Sequence, residues 1–179
     1  MIDVKTQYAG LTLSSPLIVG SSGLTRNPEK SKEFEKAGAG AIVLKSLFEE
    51  QIELQSDSLS VGSDYPEAVD YIRGYVKANQ LNDYLELIRK TKAVCTIPVI
   101  SSINCYRSGA WVEFAHEIEK AGADAIELNI FFLETDLTYN SDTTRDLYVN
   151  IVRNVKKAVS IPVTVKMSKS LGNIPALIN

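Results

Sequence analysis

The feature that most constrains this chain is a repeat inside it. Residues 37–45 read Ala-Gly-Ala-Gly-Ala-Ile-Val-Leu-Lys, and residues 121–129 read Ala-Gly-Ala-Asp-Ala-Ile-Glu-Leu-Asn. A second pair follows the same logic, with Thr-Ile-Pro-Val-Ile-Ser at 96–101 and Ser-Ile-Pro-Val-Thr-Val at 160–165. Each Ala-Gly comes just after a helical pattern and just before a short apolar run. Gly38 and Gly122 stand where a helix C-cap favours a left-handed residue. The runs behind them are rich in Ile and Val, as strands buried on both faces require. Strands of that kind, alternating with helices, imply parallel pairing and right-handed crossovers.

The pattern predicts a small hairpin or cap over residues 4–14. Parallel strands are expected at 17–20, 41–44, 98–101, 125–128 and 162–166, in sequential spatial order. Helices are expected at about 28–37, 81–93, 110–121 and 143–159, with a further one beginning near Ile174. The stretch between 44 and 81 reads as a long connection. Pro98 and Pro162 open strands, where a missing N–H is tolerated, and Pro28 suits the first turn of a helix. Gly20-Ser21-Ser22-Gly23 is too short to be a dinucleotide-binding GxGxxG turn, which lowers that reading of an α/β chain. The fold expected is α/β: a (β/α)8 TIM barrel of which these residues supply about the first five strands, in one domain over 1–179. A complete barrel takes about 250 residues. The chain is therefore expected to be the front part of a longer sequence, or else to cover its open sheet edges in a homo-oligomer.

Composition removes several function classes. Of the 179 residues, 45% are hydrophobic and 23% charged, which is ordinary for a globular domain, and the net charge of -3 offers no basic face for nucleic acid. Lys and Arg are scattered, so a polybasic membrane patch is not expected. The first residues lack an apolar signal core, and no apolar run approaches the roughly 18 residues of a membrane span. Cys95 and Cys105 have no metal-type spacing and form no disulfide framework, which points to a cytoplasmic, reducing setting. No metal is expected; His116 is the only histidine and lies inside a helical pattern.

In parallel α/β folds, ligands bind beyond the carboxyl ends of the strands. Those positions hold Ser21, Ser22 and Gly23, then Lys45 and Ser46, then Ser102 and Asn104, then Asn129, then Lys166 and Ser168. Lys45 and Lys166 each end an apolar run, where an unpaired ammonium is costly to bury. Two at one mouth, with few acids nearby in sequence, suggest a small anionic or electron-rich ligand such as a reduced flavin. The plainer alternative is that each lysine snorkels to a loop carboxylate. Asn104 and Asn129 offer a donor and an acceptor in one plane, or serve as ordinary loop caps.

These segments resemble the class 1 dihydroorotate dehydrogenase family. The residues that carry the resemblance are Ser21-Ser22-Gly23, Lys45-Ser46, Glu127-Leu128-Asn129 and Pro162-Val163-Thr164-Val165-Lys166. The opening 9–17, Ala-Gly-Leu-Thr-Leu-Ser-Ser-Pro-Leu, belongs with them. So does Ser102-Ile103-Asn104 followed by Ser108-Gly109-Ala110-Trp111, which is also similar to the related dihydropyrimidine dehydrogenases. The resemblance runs through the whole chain and corresponds to the N-terminal portion of the family's barrel. It implies FMN at the barrel mouth, contacted by Ser22, Gly23, Lys45, Ser46, Asn104, Asn129 and Lys166, with Lys45 and Asn129 also facing the substrate. The implied reaction, in pyrimidine metabolism, is hydride transfer to FMN from dihydroorotate or a related cyclic amide. The family holds the FMN phosphate in later strands, so a full-length version is expected to bind FMN non-covalently and these residues alone weakly or not at all.

The chain departs from the family where the chemistry is sharpest. Phe132 falls at the position of the family's catalytic base, and a phenyl ring cannot take a proton. Glu134 replaces the following substrate asparagine. The family's Asn-rich loop after the second strand is replaced by Val61-Gly62-Ser63-Asp64-Tyr65-Pro66-Glu67-Ala68. Cys105 is a candidate replacement base, though a small buried cysteine is the commoner role. Tyr106, Glu134, Asp136 and Tyr139 are further candidates. Two other readings follow: a barrel without catalysis that serves as a binding or assembly module, and a phosphate-binding aldolase or isomerase with Lys166 as a Schiff-base lysine.

Overall fold

The structure is a computed structural model, and it describes residues 4–60, 66–105, 108–131 and 141–168. A small antiparallel hairpin comes first, β1 (Thr6–Tyr8) and β2 (Leu11–Leu13). Its turn is made by Ala9 and Gly10, both at positive φ. The main sheet is wholly parallel among the described residues. It contains β3 (Ile18–Val19), β4 (Ala41–Val43), β5 (Leu47–Phe48), β6 (Val99–Asn104), β7 (Ala125–Asn129) and β8 (Val163–Lys166). Strand order is β3-β4-β6-β7-β8, with the short β5 pairing β6 beyond the end of β4. The helices are α1 (Pro28–Lys36), α2 (Glu49–Ser60), α3 (Pro66–Val94), α4 (Ser108–Lys120) and α5 (Ser141–Ala158).

The five expected strands occur in the expected sequential order, so the sheet is of the TIM-barrel-like kind. Two parts of the reading are corrected. The stretch read as a long connection with one helix over 81–93 contains β5, all of α2 and a 29-residue α3. The core-facing residues of α3, among them Ile72, Val76, Leu81, Tyr84 and Ile88, recur at helical spacing, but exposed Tyr71 and Tyr75 blur the stripe by which an amphipathic helix is recognised. The helix expected near Ile174 and the altered residues 61–65 lie outside the described residues.

The repeated sequence builds a repeated contact. Gly38 and Gly122 take left-handed φ angles of 101° and 93° and end α1 and α4. Three residues before each glycine stands a glutamate that clamps the start of a later strand. Glu35 accepts the Thr96 N–H at 3.1 Å and also the Thr96 hydroxyl. Glu119 accepts the Ser160 N–H at 2.8 Å, the Ser160 hydroxyl at 2.6 Å and the Ile161 N–H at 3.2 Å. Beside each clamp, the carbonyl of the strand-opening proline accepts a strand N–H: Pro98 from Ile42 at 3.0 Å, and Pro162 from Ile126 at 2.9 Å. The two families of repeat are thus the two halves of one helix-end to strand-start joint.

Strand alternation divides the core. Ile42, Leu44, Val99, Ile103, Ile126 and Leu128 pack with Ile88 of α3, Trp111, Phe114 and Ile118 of α4, and Val155 of α5. The opposite face carries a small separate cluster of Ala41, Val43, Ile100 and Ala125, which Leu13 of the hairpin covers. No helix is long and apolar enough to cross a membrane among the described residues.

Candidate active site at the strand ends

The strand period carries this second face onward toward the carboxyl ends. On β6 the residues after Ile100 are Ser102 and Asn104; on β7, after Ala125, Glu127 and Asn129; on β8, Thr164 and Lys166. Ser102 registers with Glu127, Glu127 with Thr164, and Asn129 with Lys166. Asn104 Nδ2 donates to the Asn129 carbonyl at 2.7 Å and ties two strand ends together. Asn104, Asn129 and Lys166 therefore share one face and one end of the sheet, where the sequence reading put them.

Lys45 lies just past β4, and its Nζ stands 4.4 Å from the centroid of the Phe48 ring. It borders a cleft of about 190 Å³ lined also by Arg26, Gln51, Gln80, Asp83 and Tyr84. Burial, and after it the charges of Arg26 and Lys166, hold the Lys45 ammonium below the ordinary lysine range. Among the described residues Lys45 forms no ion pair. Lys166, about half exposed, stands 3.9 Å from Glu127 Oε1, and among the described residues that carboxylate is the one acid within ion-pair reach of either lysine.

Ser46 is buried and fully engaged by the protein. Its N–H donates to Ser21 Oγ at 3.0 Å, and its hydroxyl lies 3.2 Å from Ser21 Oγ and 2.8 Å from Ser102 Oγ. Ser102 Oγ in turn donates to Glu127 Oε1 at 2.9 Å. Tyr84, wholly buried in α3, braces this strand: its hydroxyl donates to the Ser102 carbonyl and accepts the Ser102 N–H, both at 2.9 Å. Ser22 opens the short 3-10 turn Gly23–Arg26, with Thr25 Oγ1 accepting the Ser22 N–H at 3.2 Å. Among the described residues a side chain at Gly23 would meet no atom within 4 Å, so that glycine answers no packing need there.

Of its two readings, Cys105 takes the commoner one, a small buried cysteine. It follows Asn104 by one residue, so alternation turns it to the helix-side core, where it is buried. Burial, and after it the nearby Glu49 carboxylate, push its thiol far above the ordinary cysteine range. A base must lose its own proton first, and this thiol holds it. His116 is exposed on α4. No group of three or more His, Cys, Asp or Glu able to hold a metal occurs among the described residues. Phe132, Glu134, Tyr106, Asp136 and Tyr139 lie outside them. Sequence reasoning passed over Arg26 and the part played by Glu127. The signal for Glu127 was present: a carboxylate inside the apolar run Ala-Ile-Glu-Leu-Asn is costly to place without partners.

A parallel sheet in sequential order, with polar side chains gathered at its carboxyl ends, places the chain among TIM-barrel-like α/β proteins. Among solved structures it is similar to YagE, a prophage protein of the dihydrodipicolinic acid synthase family from Escherichia coli K12, solved in complex with pyruvate. The TM-score is 0.53 at 14% identity, over 90% of this chain and 48% of that one, a likeness of fold alone. No family model matches the chain. Curated relatives are more specific. The dihydroorotate dehydrogenase B (NAD(+)) catalytic subunit of Thermoplasma volcanium is 29% identical over 97% of this chain and 57% of its own length. The Thermoplasma acidophilum subunit of the same name is also 29% identical, with the same coverage. The dihydroorotate dehydrogenase A (fumarate) of Limosilactobacillus reuteri is 26% identical, again over 97% and 57%. The chain fits the N-terminal portion of a dihydroorotate dehydrogenase-like family and spans little more than half the length of these relatives.

Proposed function

We propose that the chain is the front part of a (β/α)8 barrel and works as a dihydroorotate dehydrogenase-like, FMN-dependent oxidoreductase. The observation that carries the reading is the set of cations at the strand ends. Arg26, Lys45 and Lys166 gather there, and among the described residues Lys45 forms no ion pair and only Glu127 comes within ion-pair reach of either lysine. An electron-rich ligand relieves that imbalance. Lys45 and Lys166 would face the flavin edge where negative charge collects, and Asn104 and Asn129 would meet its polar edge as donor and acceptor. Ser22, Gly23 and Ser46 would line the approach, with the open space at Gly23 admitting the ring. Lys45 and Asn129 would also face the substrate. When bound, FMN supplies the hydride acceptor; the chain's own residues bind it, orient it and hold fixed positive charge beside it. The names of the relatives support a dihydroorotate-type substrate, a small cyclic amide.

The test is FMN titration of the full-length barrel and of residues 1–179 alone, read by quenching of flavin fluorescence. Binding is expected from the full-length protein and weak or no binding from the shorter chain, and Lys45→Ala with Lys166→Ala should weaken the full-length protein's binding at least tenfold. No quenching by the full-length wild type, or equal quenching by wild type and variant, refutes the flavin reading.

A further inference from the structure

Each of five consecutive strands of the sheet's main path brings one polar side chain into a continuous line. Ser21 follows β3, Ser46 follows β4, Ser102 is on β6, Glu127 on β7 and Lys166 on β8. The spacings are 3.2 Å from Ser21 to Ser46, 2.8 Å from Ser46 to Ser102, 2.9 Å from Ser102 to Glu127 and 3.9 Å from Glu127 to Lys166. Ser46 and Ser102 are buried, so water does not interrupt the line at its middle.

Proton counting gives the line a direction. A hydroxyl has one proton to donate. Ser102 gives its proton to the Glu127 carboxylate. Ser46 must then be the donor to Ser102, which leaves Ser21 as the donor to Ser46. Ser21 already accepts the Ser46 N–H, and its second acceptor position has no partner among the described residues. All three hydroxyls therefore point their protons toward Glu127 while that group is ionised, and hydrogen bonds in such a chain polarise one another. Protonating Glu127 removes the reason for the direction and lets the line reverse.

We propose that Ser21, Ser46, Ser102 and Glu127 form a hydroxyl relay that draws a proton from the bound ligand at the strand ends to Glu127. The proposal rests on the strand-end ligand site argued above, and it names an acid–base group for a site whose usual base position is occupied by Phe132. In the step, an X–H group of the ligand gives its proton to Ser21 Oγ as Ser21 gives its own to Ser46, Ser46 to Ser102, and Ser102 to Glu127. The ligand is left with the electron pair of its X–H bond, Glu127 becomes a carboxylic acid, and each serine ends with one proton. Ser21 touches the ligand; Glu127 acts through the serines. Among the described residues, the groups facing Glu127 are the Lys166 ammonium from β8, Ser102 from β6 and the Tyr84 phenol from α3, while its own strand adds only the uncharged Asn129.

Carbon-13 NMR of the full chain, first without flavin, tests the relay. The Glu127 carboxyl and the Ser21 Cβ resonances are followed as pH falls. Both should titrate with one midpoint. Glu127→Gln should abolish the Ser21 response, and so should Ser46→Ala, which leaves Glu127 in place. Ser102→Ala breaks the line one link nearer Glu127 and serves if the Ser46 variant does not fold. A Ser21 signal that stays flat in the wild type, or that still tracks Glu127 when the line is cut, overturns the proposal. FMN is then titrated into the full-length barrel. Shared titration without flavin binding there supports the relay and refutes the flavin reading, whereas flavin binding without shared titration does the reverse.

Discussion

Gly40→Ala tests the packing that separates the two copies of the repeat. An alanine Cβ at residue 40 would stand 1.9 Å from the Ser15 carbonyl oxygen, 2.8 Å from its carbon and 2.9 Å from its nitrogen. All three are backbone atoms, so no side chain can swing aside, and the strand start must part from residues 15–17 by about 1 Å to reach even a tight contact. The Gly40 N–H donates to the Leu17 carbonyl at 2.8 Å, and that bond sets β4 beside β3. Losing it costs about 1 kcal/mol, and forced overpacking adds about 1–3 kcal/mol. The expected destabilisation is about 3 kcal/mol, or a fall in melting temperature of roughly 6–12 °C for a chain of this size. Asp124, at the same place in the second copy, keeps the equivalent bond from its N–H to Val99 at 2.9 Å and has room for a side chain. Gly20→Ala is the control, because nothing lies within 4 Å of the added carbon. Urea unfolding followed by circular dichroism gives both values. If Gly40→Ala comes within about 0.5 kcal/mol of the Gly20→Ala variant, the ordinary scatter of surface changes, the packing argument is wrong.

Glu35 gives an acid-limb prediction. Burial opposes its ionisation, but hydrogen bonds from Lys32 and Thr96 outweigh it and hold the carboxyl at about 2. A depressed folded value means stability present above the usual carboxylate pKa and lost as pH falls from about 4.5 toward 2, worth about 1–2 kcal/mol after solvent screening. Glu35→Gln should flatten that limb, and identical acid titrations of stability for both proteins would refute the clamp. Tyr84→Phe should cost about 2–4 kcal/mol, since it orphans both the buried N–H and the buried carbonyl of Ser102. Hydrogen exchange at the Ser102 amide should rise with it; unchanged protection would show that another group replaces the phenol. Asp124→Ala should cost about 2 kcal/mol, because its carboxylate accepts the Val99 N–H at 2.7 Å and meets Lys92 Nζ at 2.7 and 2.8 Å. A thermal midpoint unmoved by that change would remove the Lys92–Asp124–Val99 junction from the account.

The sequence by itself determined the parallel, sequential order of the sheet and the end at which Asn104, Asn129 and Lys166 meet. Both follow from local regularities. A strand repeats every two residues, so Ala125, Glu127 and Asn129 must share a face, and an Ala-Gly helix end before an apolar run marks each crossover wherever it recurs. The five strands were legible for that reason. Only the tertiary structure decided the rest. β5 pairs with β6 because the chain leaving β4 runs on beside it, and no residue pattern announces a two-residue strand. α2 and most of α3 were hidden because large apolar side chains also stand exposed on them, Leu54 and Leu59 on α2 and Tyr71 and Tyr75 on α3, and blur the helical stripe. Which of its two roles Cys105 takes was settled by packing: Asn104 faces the strand ends, and the next residue along a strand faces the other way, into the helix-side core. The line from Ser21 to Glu127 could not be read at all: Ser46 and Ser102 are 56 positions apart, and their 2.8 Å contact exists only because strand register sets them at the same height. Periodicity fixes which way a side chain points; register between distant strands fixes what it meets.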